Sequence, residues 1–287
     1  MRWQTGRRSE NIEDRRGMGL PMGVRIGGGG GLGILVLALV AMLFGVNPLT
    51  VLDPVLEQPS TSVQTGPDGV RPGRDELRDF VSVVLADTED VWTEVFRQAG
   101  RTYQPPKLVL FSHAVESACG MAGAAAGPFY CPLDQKVYLD LSFFEELRAR
   151  FHAPGDFAQA YVIAHEVAHH VQTLLGISQK IHKMRERAQP GEANRLSVRL
   201  ELQADCLAGL WANNAHRARQ VLEAGDIEEG LNAASAVGDD RIQRSTRGQI
   251  VPESFTHGTS AQRVEWFRRG LERADLSLCN TFQGSLM

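Results

Sequence analysis

No C-x-x-C pair occurs among the four cysteines of this chain, Cys119, Cys131, Cys206 and Cys279, so a cysteine-type zinc knuckle is excluded. No internal repeat and no sustained heptad occurs either, which removes solenoids and coiled coils. A basic-aromatic stripe is missing, and the formal net charge is −4 over 287 residues, so no nucleic-acid partner is expected. Between Arg25 and Asp53 there is no charged residue at all.

That uncharged interval holds an apolar run, residues 27–46, about as long as a membrane-spanning helix requires. Its hard apolar core is 32–46, after glycines at 27–31. Arg2, Arg7, Arg8, Arg15, Arg16 and Arg25 precede it, against Glu10, Glu13 and Asp14. Positive charge stays inside, so the bias predicts a single-pass anchor in the lipid bilayer, with a cytoplasmic N-terminus and the rest extracytoplasmic. A cleaved secretory signal competes, but the charged region is long and no small-x-small site follows the core. A buried core helix ranks last, because the run is apolar on every side. Residues 1–26 then read as a disordered cytoplasmic tail. Residues 47–73, rich in Pro, Gly, Ser, Thr and Gln, read as a linker, and 74–287 as the folded domain.

Within that domain, His165-Glu166-Val167-Ala168-His169 carries the chemistry. Apolar residues at Phe157, Ala160, Tyr161, Ala164, Ala168, Val171 and Leu175 have helical spacing, bounded by Gly155-Asp156 and Gly176. Histidines at i and i+4 share one helical face and converge on one metal ion. Glu166 projects about 100° away and is free to handle a proton. His170 points a similar angle from His169 and reads as a supporting or surface residue. His113, His152, His182 and His216 stand outside any metal spacing.

A second helical stretch, residues 192–214, has Glu201 and Asp205 one turn apart beside its apolar stripe. Glu201 is the expected third ligand, and Asp205 the acceptor for the outer nitrogen of a ligand histidine. The alternative is a solvated pair matched by Arg195 and Arg199.

His165-Glu166-x-x-His169 followed by Glu201-x-x-x-Asp205 resembles the gluzincin metallopeptidases. The chain further resembles the bacterial family of neutral zinc metallopeptidases. That likeness rests on Met1-Arg2-Trp3 with residues 11–16, the glycine run before the apolar segment, and residues 127–132, 136–141 and 257–263. The resemblance implies a membrane-anchored, zincin-like zinc hydrolase and says little of its substrate. It also implies that the strand at 136–141 borders the cleft and holds an extended peptide.

The four cysteines, even in number in an exported domain, suggest disulfides. Of three possible pairings the preferred one joins Cys119 to Cys131 around a Gly/Ala-rich loop, and Cys206 to Cys279. Four reduced core cysteines are the alternative.

Further helices are expected at 75–98, 142–151, 178–189, 227–237 and 260–274, and strands at 107–111 and 136–141, with a loop over 117–127. The fold class is therefore α+β, helix-dominated with a small antiparallel sheet, preceded by one transmembrane helix.

The expected activity is peptide hydrolysis with one Zn²⁺ held by His165, His169 and Glu201, and Glu166 as general base. His257, in the loop before the last helix, is the first candidate for an oxyanion donor, and Tyr130 the second. His257 as a helix cap or packing residue is the alternative. Two other functions fit the same residues: a non-proteolytic zinc module that recruits a partner at the membrane, and a zinc amidase on cell-wall peptides.

Overall fold

Helices enclose a small mixed sheet in the computed structural model of this chain, which describes residues 1–17, 75–123 and 127–282. In chain order the elements are β1 (Ile12–Asp14), α1 (Glu76–Gln98), β2 (Lys107–Phe111), β3 (Ala114–Ser117), β4 (Gly120–Gly123), β5 (Phe129–Cys131) and β6 (Lys136–Asp140). There follow α2 (Ser142–Ala149), α3 (Asp156–Leu174), α4 (Ile177–Arg185), α5 (Pro190–Arg219), α6 (Asp226–Ala236), α7 (Asp239–Arg247) and α8 (Ser260–Arg273).

The sheet runs β1-β2-β6-β5. β1 and β6 both lie parallel to β2, with Leu108 opposite Ile12 and Val137, and only β5 pairs antiparallel, with β6. This corrects the expected antiparallel sheet. The connection from β2 to β6 holds the β3–β4 hairpin and β5, which gives it length enough for a parallel return. Leu108, Val109, Leu110 and Phe111 are all buried, so β2 is covered on both faces, as parallel strands are.

The expected membrane helix at 27–46 and the linker at 47–73 lie outside the described residues. Among the described residues no helix is long and apolar enough to cross a membrane. The fold class is therefore corrected to a helix-dominated α+β unit with small sheets, and the spanning helix is dropped from it.

The tail expectation also fails for residues 1–16, which form one compact unit with residues 74–287. Their few apolar side chains are well used: Met1 joins the core, Trp3 packs edge-on against Phe80, and Ile12 packs on the core from β1. Their charges meet partners on α1 and beside it. Arg7 donates to Glu89 at 2.8 Å, and Arg16 pairs with Asp75 at 2.6 Å. Their polar composition suggests disorder because those partners are remote in sequence. Residues 1–16 and the domain share one fold.

α3 runs through the centre, with Phe157, Tyr161, Ala164, Ala168 and Val171 buried. α5 crosses α8 where glycines let the backbones touch. A Cβ on Gly270 would lie 1.9 Å from the Cys206 carbonyl oxygen, and one on Gly209 would lie 2.1 Å from that of Phe267. Both preferred disulfides are present. Cys119–Cys131 ties the β3–β4 hairpin to β5, and Cys206–Cys279 ties the chain beyond α8 to α5. The crossing and the second disulfide hold α5 and α8 in register, which places Asp205 against Arg263.

Candidate metal centre and cleft

His165 and His169 rise from α3 one turn apart, their ring centroids 4.8 Å apart at 90°. Glu201 comes from α5 to meet both: its Oε2 is 3.1 Å from His165 Nε2 and its Oε1 is 3.5 Å from His169 Nε2. One donor atom from each of the three lies within 4.8 Å of the others, a set that could hold a metal ion.

The outer nitrogens are spoken for. His165 Nδ1 faces Asp205 Oδ1 at 2.9 Å, and His169 Nδ1 faces Gln172 Oε1 at 2.9 Å. Gln172 is held in turn by the Leu200 carbonyl and Gln203. Both acceptors fix the ring proton on Nδ1, which leaves the Nε2 lone pairs facing Glu201. Two lone pairs and a carboxylate at this spacing demand a cation. The titration of His165 reflects that demand. Burial lowers its pKa, but Asp205 and Glu201 outweigh burial and push it up to about 9. The residues present therefore fit a dication with two imidazoles and one carboxylate, the donor set of catalytic zinc sites.

Asp205 is fully buried and carries more than the histidine. It accepts Arg263 Nε on Oδ2 at 2.8 Å and Arg263 Nη2 on Oδ1 at 2.9 Å, and Tyr161 donates to Oδ1 at 2.5 Å. Burial raises its pKa, and the charges of Arg263 and His165 reverse that and hold it below the usual carboxylate range. Asp205→Asn is expected to weaken metal binding about 10–100-fold, read by competition with a chelator.

Glu166 lines the same cleft, and no described residue donates a hydrogen bond to its carboxylate. Among the described residues it is a base held beside the donor set with no hydrogen-bond donor of its own.

His257 lines the cleft too and is half-exposed. Asp239 on α7 organises its loop. One carboxylate oxygen accepts the backbone N–H groups of Thr256, His257 and Gly258 at 2.7, 2.7 and 3.0 Å, and the other faces His257 Nδ1 at 3.1 Å. The hydrogen bond that His257 donates to Asp239 raises the His257 pKa. His257 does not cap α8; Thr259 and Gln262 form that cap between them.

Tyr130 reaches the cleft from β5, but its proton is engaged. His170 Nε2 lies 2.7 Å from the Gln104 carbonyl oxygen and must donate to it, so Nδ1 accepts. The Tyr130 hydroxyl, 3.1 Å away, donates to that Nδ1. Burial pushes the Tyr130 pKa up to about 12. His170 thus belongs to Tyr130 and not to the three-residue donor set.

The cleft measures about 940 Å³. Phe129, Phe143, Phe151 and Leu133 supply apolar lining, and Arg150 and Arg185 basic lining. β6 cannot take the strand-addition role expected of residues 136–141, because both of its edges are already paired. β5 is the edge strand beside the cleft. Asp140 is buried and accepts the backbone N–H groups of His113 and Ser142.

Sequence reasoning missed Arg263, Asp239, Gln172 and Tyr161. Arg263 stands in a stretch that carries the family resemblance, but it lies 58 residues from Asp205, and only the fold brings the two together. Asp239 gave no signal, since α7 has too few apolar residues to show a period.

The profile of one protein family, described as "Putative neutral zinc metallopeptidase", matches residues 1–282. An uncharacterized Escherichia coli protein, YpfJ, is 49% identical over 295 aligned positions that cover 100% of both chains. An uncharacterized Mycobacterium tuberculosis protein is 41% identical over 257 positions, covering 85% of this chain and 86% of its own. No solved structure matches the chain.

Proposed function

Since this chain belongs to the neutral zinc metallopeptidase family, we propose that it is a zinc-dependent peptidase whose general base is Glu166. One observation carries the reading: Glu201 meets the Nε2 atoms of both helix histidines, and Glu166, which accepts no hydrogen bond from a described residue, lines the same cleft.

Zinc held by His165, His169 and Glu201 would supply a Lewis acid that activates water and polarises a peptide carbonyl. Glu166 takes one proton from the attacking water as the new C–O bond forms. It returns that proton to the amine as the C–N bond breaks. Asp205 and Gln172 keep the ligand rings in one orientation. His257, its Nδ1 directed to Asp239, donates from Nε2 to the carbonyl oxygen as that oxygen gains charge. The free edge of β5 receives the substrate backbone as an added strand. The two disulfides favour an oxidising, extracytoplasmic compartment for the folded unit, residues 1–16 included.

His257→Ala is expected to lower kcat about 10²-fold with little change in KM. The Asp239 bond raises the His257 pKa, so the protonated donor is present at low pH and is lost as pH rises through that raised value. The alkaline limb of the pH–rate profile should vanish in the variant.

The reading is tested by incubating the zinc-loaded chain with a diverse peptide library and mapping products by mass spectrometry. Cleavage abolished by a chelator and restored by zinc supports it. An intact library sinks it in favour of a partner-recruiting module, and cleavage confined to cell-wall peptides would assign an amidase.

A further inference from the structure

The sheet edge beside the cleft is short and thinly held. β5 is three residues long, and among the described residues its only ladder partner is β6. Phe129 and Cys131 face one side of the sheet, where they pack with Val109, Phe111 and Tyr138. Tyr130 faces the other side, towards the main core and α3. A single side chain therefore sets how this edge stands over the metal-bearing helix.

We propose that Tyr130 and His170 form a strut that fixes the height of β5 over α3, and that His170 is a positioning residue for the substrate strand. The inference rests on the peptidase reading, in which the edge of β5 receives the substrate backbone.

The contacts build the strut in order. At the entry to β2, the Gln104 carbonyl oxygen accepts His170 Nε2–H at 2.7 Å. Nδ1, across the same ring, accepts the Tyr130 hydroxyl at 3.1 Å. A neutral imidazole offers a donor and an acceptor on opposite sides of one rigid ring, which is what this bridge requires. His170 is 1% exposed, and the rings of Tyr103 and Tyr130 pack against it edge-on, with centroids 6.0 and 5.5 Å away. Those two rings hold its plane. Thr173 on α3 also hydrogen-bonds the Tyr130 hydroxyl.

The strut lands where it bears on the reaction. Glu166, His170 and Thr173 stand at i, i+4 and i+7 of α3 and share one face. Tyr130 therefore meets the helix one turn, about 5.4 Å, beyond the proposed base. A peptide paired with β5 passes Glu166 at a height that Tyr130 sets. The pair takes no part in the bonds that orient His165 and His169. The Tyr130 proton is already given to His170, so the hydroxyl has none to offer a reacting carbonyl. Its contribution is to holding the strand, which is the same before and during the chemical step.

The test uses the zinc-loaded full chain and an eight-residue peptide that the parent cleaves, with versions shortened to six and four residues about the cleaved bond. Tyr130→Phe keeps the ring and removes only the hydroxyl. It is expected to raise KM for the longest peptide about 3–10-fold, with kcat and zinc per chain near the parent's. That penalty should shrink as the peptide shortens, because fewer of its residues reach β5. His170→Ala should raise KM in the same way, and should add nothing when combined with Tyr130→Phe. His170→Asn, whose side-chain oxygen can replace Nδ1 as acceptor, should recover most of the loss. A fall in kcat with KM unchanged would make Tyr130 a donor to the reacting carbonyl and overturn the proposal. An equal penalty at every peptide length, a further loss in the double variant, or loss of zinc from Tyr130→Phe would overturn it too. A parent that cleaves no peptide would sink the peptidase reading and this inference with it. A parent that cleaves while Tyr130→Phe and His170→Ala both keep its KM would sink this inference alone.

Discussion

Glu166→Gln should retain its zinc and lose peptide hydrolysis by about 10²–10⁴-fold. Glutamine keeps the size and nearly the shape of glutamate but cannot take a proton from water. The three donor groups belong to other residues, and none of their hydrogen bonds involves Glu166. Metal content should therefore stay near that of the parent chain. KM should change little, because the lost interaction exists only as the reaction proceeds. Measured together, kcat and zinc per chain separate the loss of a base from the loss of a site. If the variant cleaves as fast as the parent, Glu166 is not the base. If it loses zinc, the carboxylate has a structural task that the geometry does not reveal.

Arg263→Ala is the substitution with the largest expected effect on stability. Asp205 is wholly buried, and Arg263 is 3% exposed. Their contact is a two-point fork, and the same guanidinium also reaches the Tyr161 hydroxyl at 3.2 Å. Removing the arginine strands a buried carboxylate, at a cost of about 3–5 kcal/mol. Arg263→Lys should recover only part of this, since an ammonium cannot span both carboxylate oxygens. Because Asp205 also orients His165, the loss should reach the metal centre. Denaturant unfolding should show the lower stability, and chelator competition a weaker hold on zinc. Unchanged unfolding free energy would mean that Asp205 finds another partner or takes up a proton without strain.

What could be read ahead of the structure was local. The α3 segment announced itself by apolar spacing and by glycines at both ends, and the observed helix, Asp156–Leu174, ends one residue before the expected limit. The strand at Lys107–Phe111 showed itself as an apolar run after two prolines. The two disulfides followed from cysteine number and the loop between the first pair. The meeting of His165, His169 and Glu201 was expected from two helical faces, but their distances depend on how α3 and α5 pack.

What escaped was nonlocal. β1 is three residues of ordinary polarity, and only its pairing with β2 makes it a strand. The sense of the sheet depends on connections whose path composition does not reveal. Arg263 acquires its meaning from the Gly209–Gly270 crossing, which brings a distant helix to Asp205. Asp239 sits on a helix with a strongly polar sequence and few apolar residues, so periodicity had little to register. The membrane argument weighed the arginines of residues 1–16 as topology signals. Several of them are instead ion-pair partners within the fold, such as Arg7 with Glu89 and Arg16 with Asp75.

The most direct measurement is elemental analysis of the purified full chain beside a His165→Ala, His169→Ala, Glu201→Ala triple variant. About one zinc per parent chain and essentially none in the variant is the result this account predicts. A parent chain that binds no zinc after dialysis against it, or a variant that holds as much as the parent, would contradict the account.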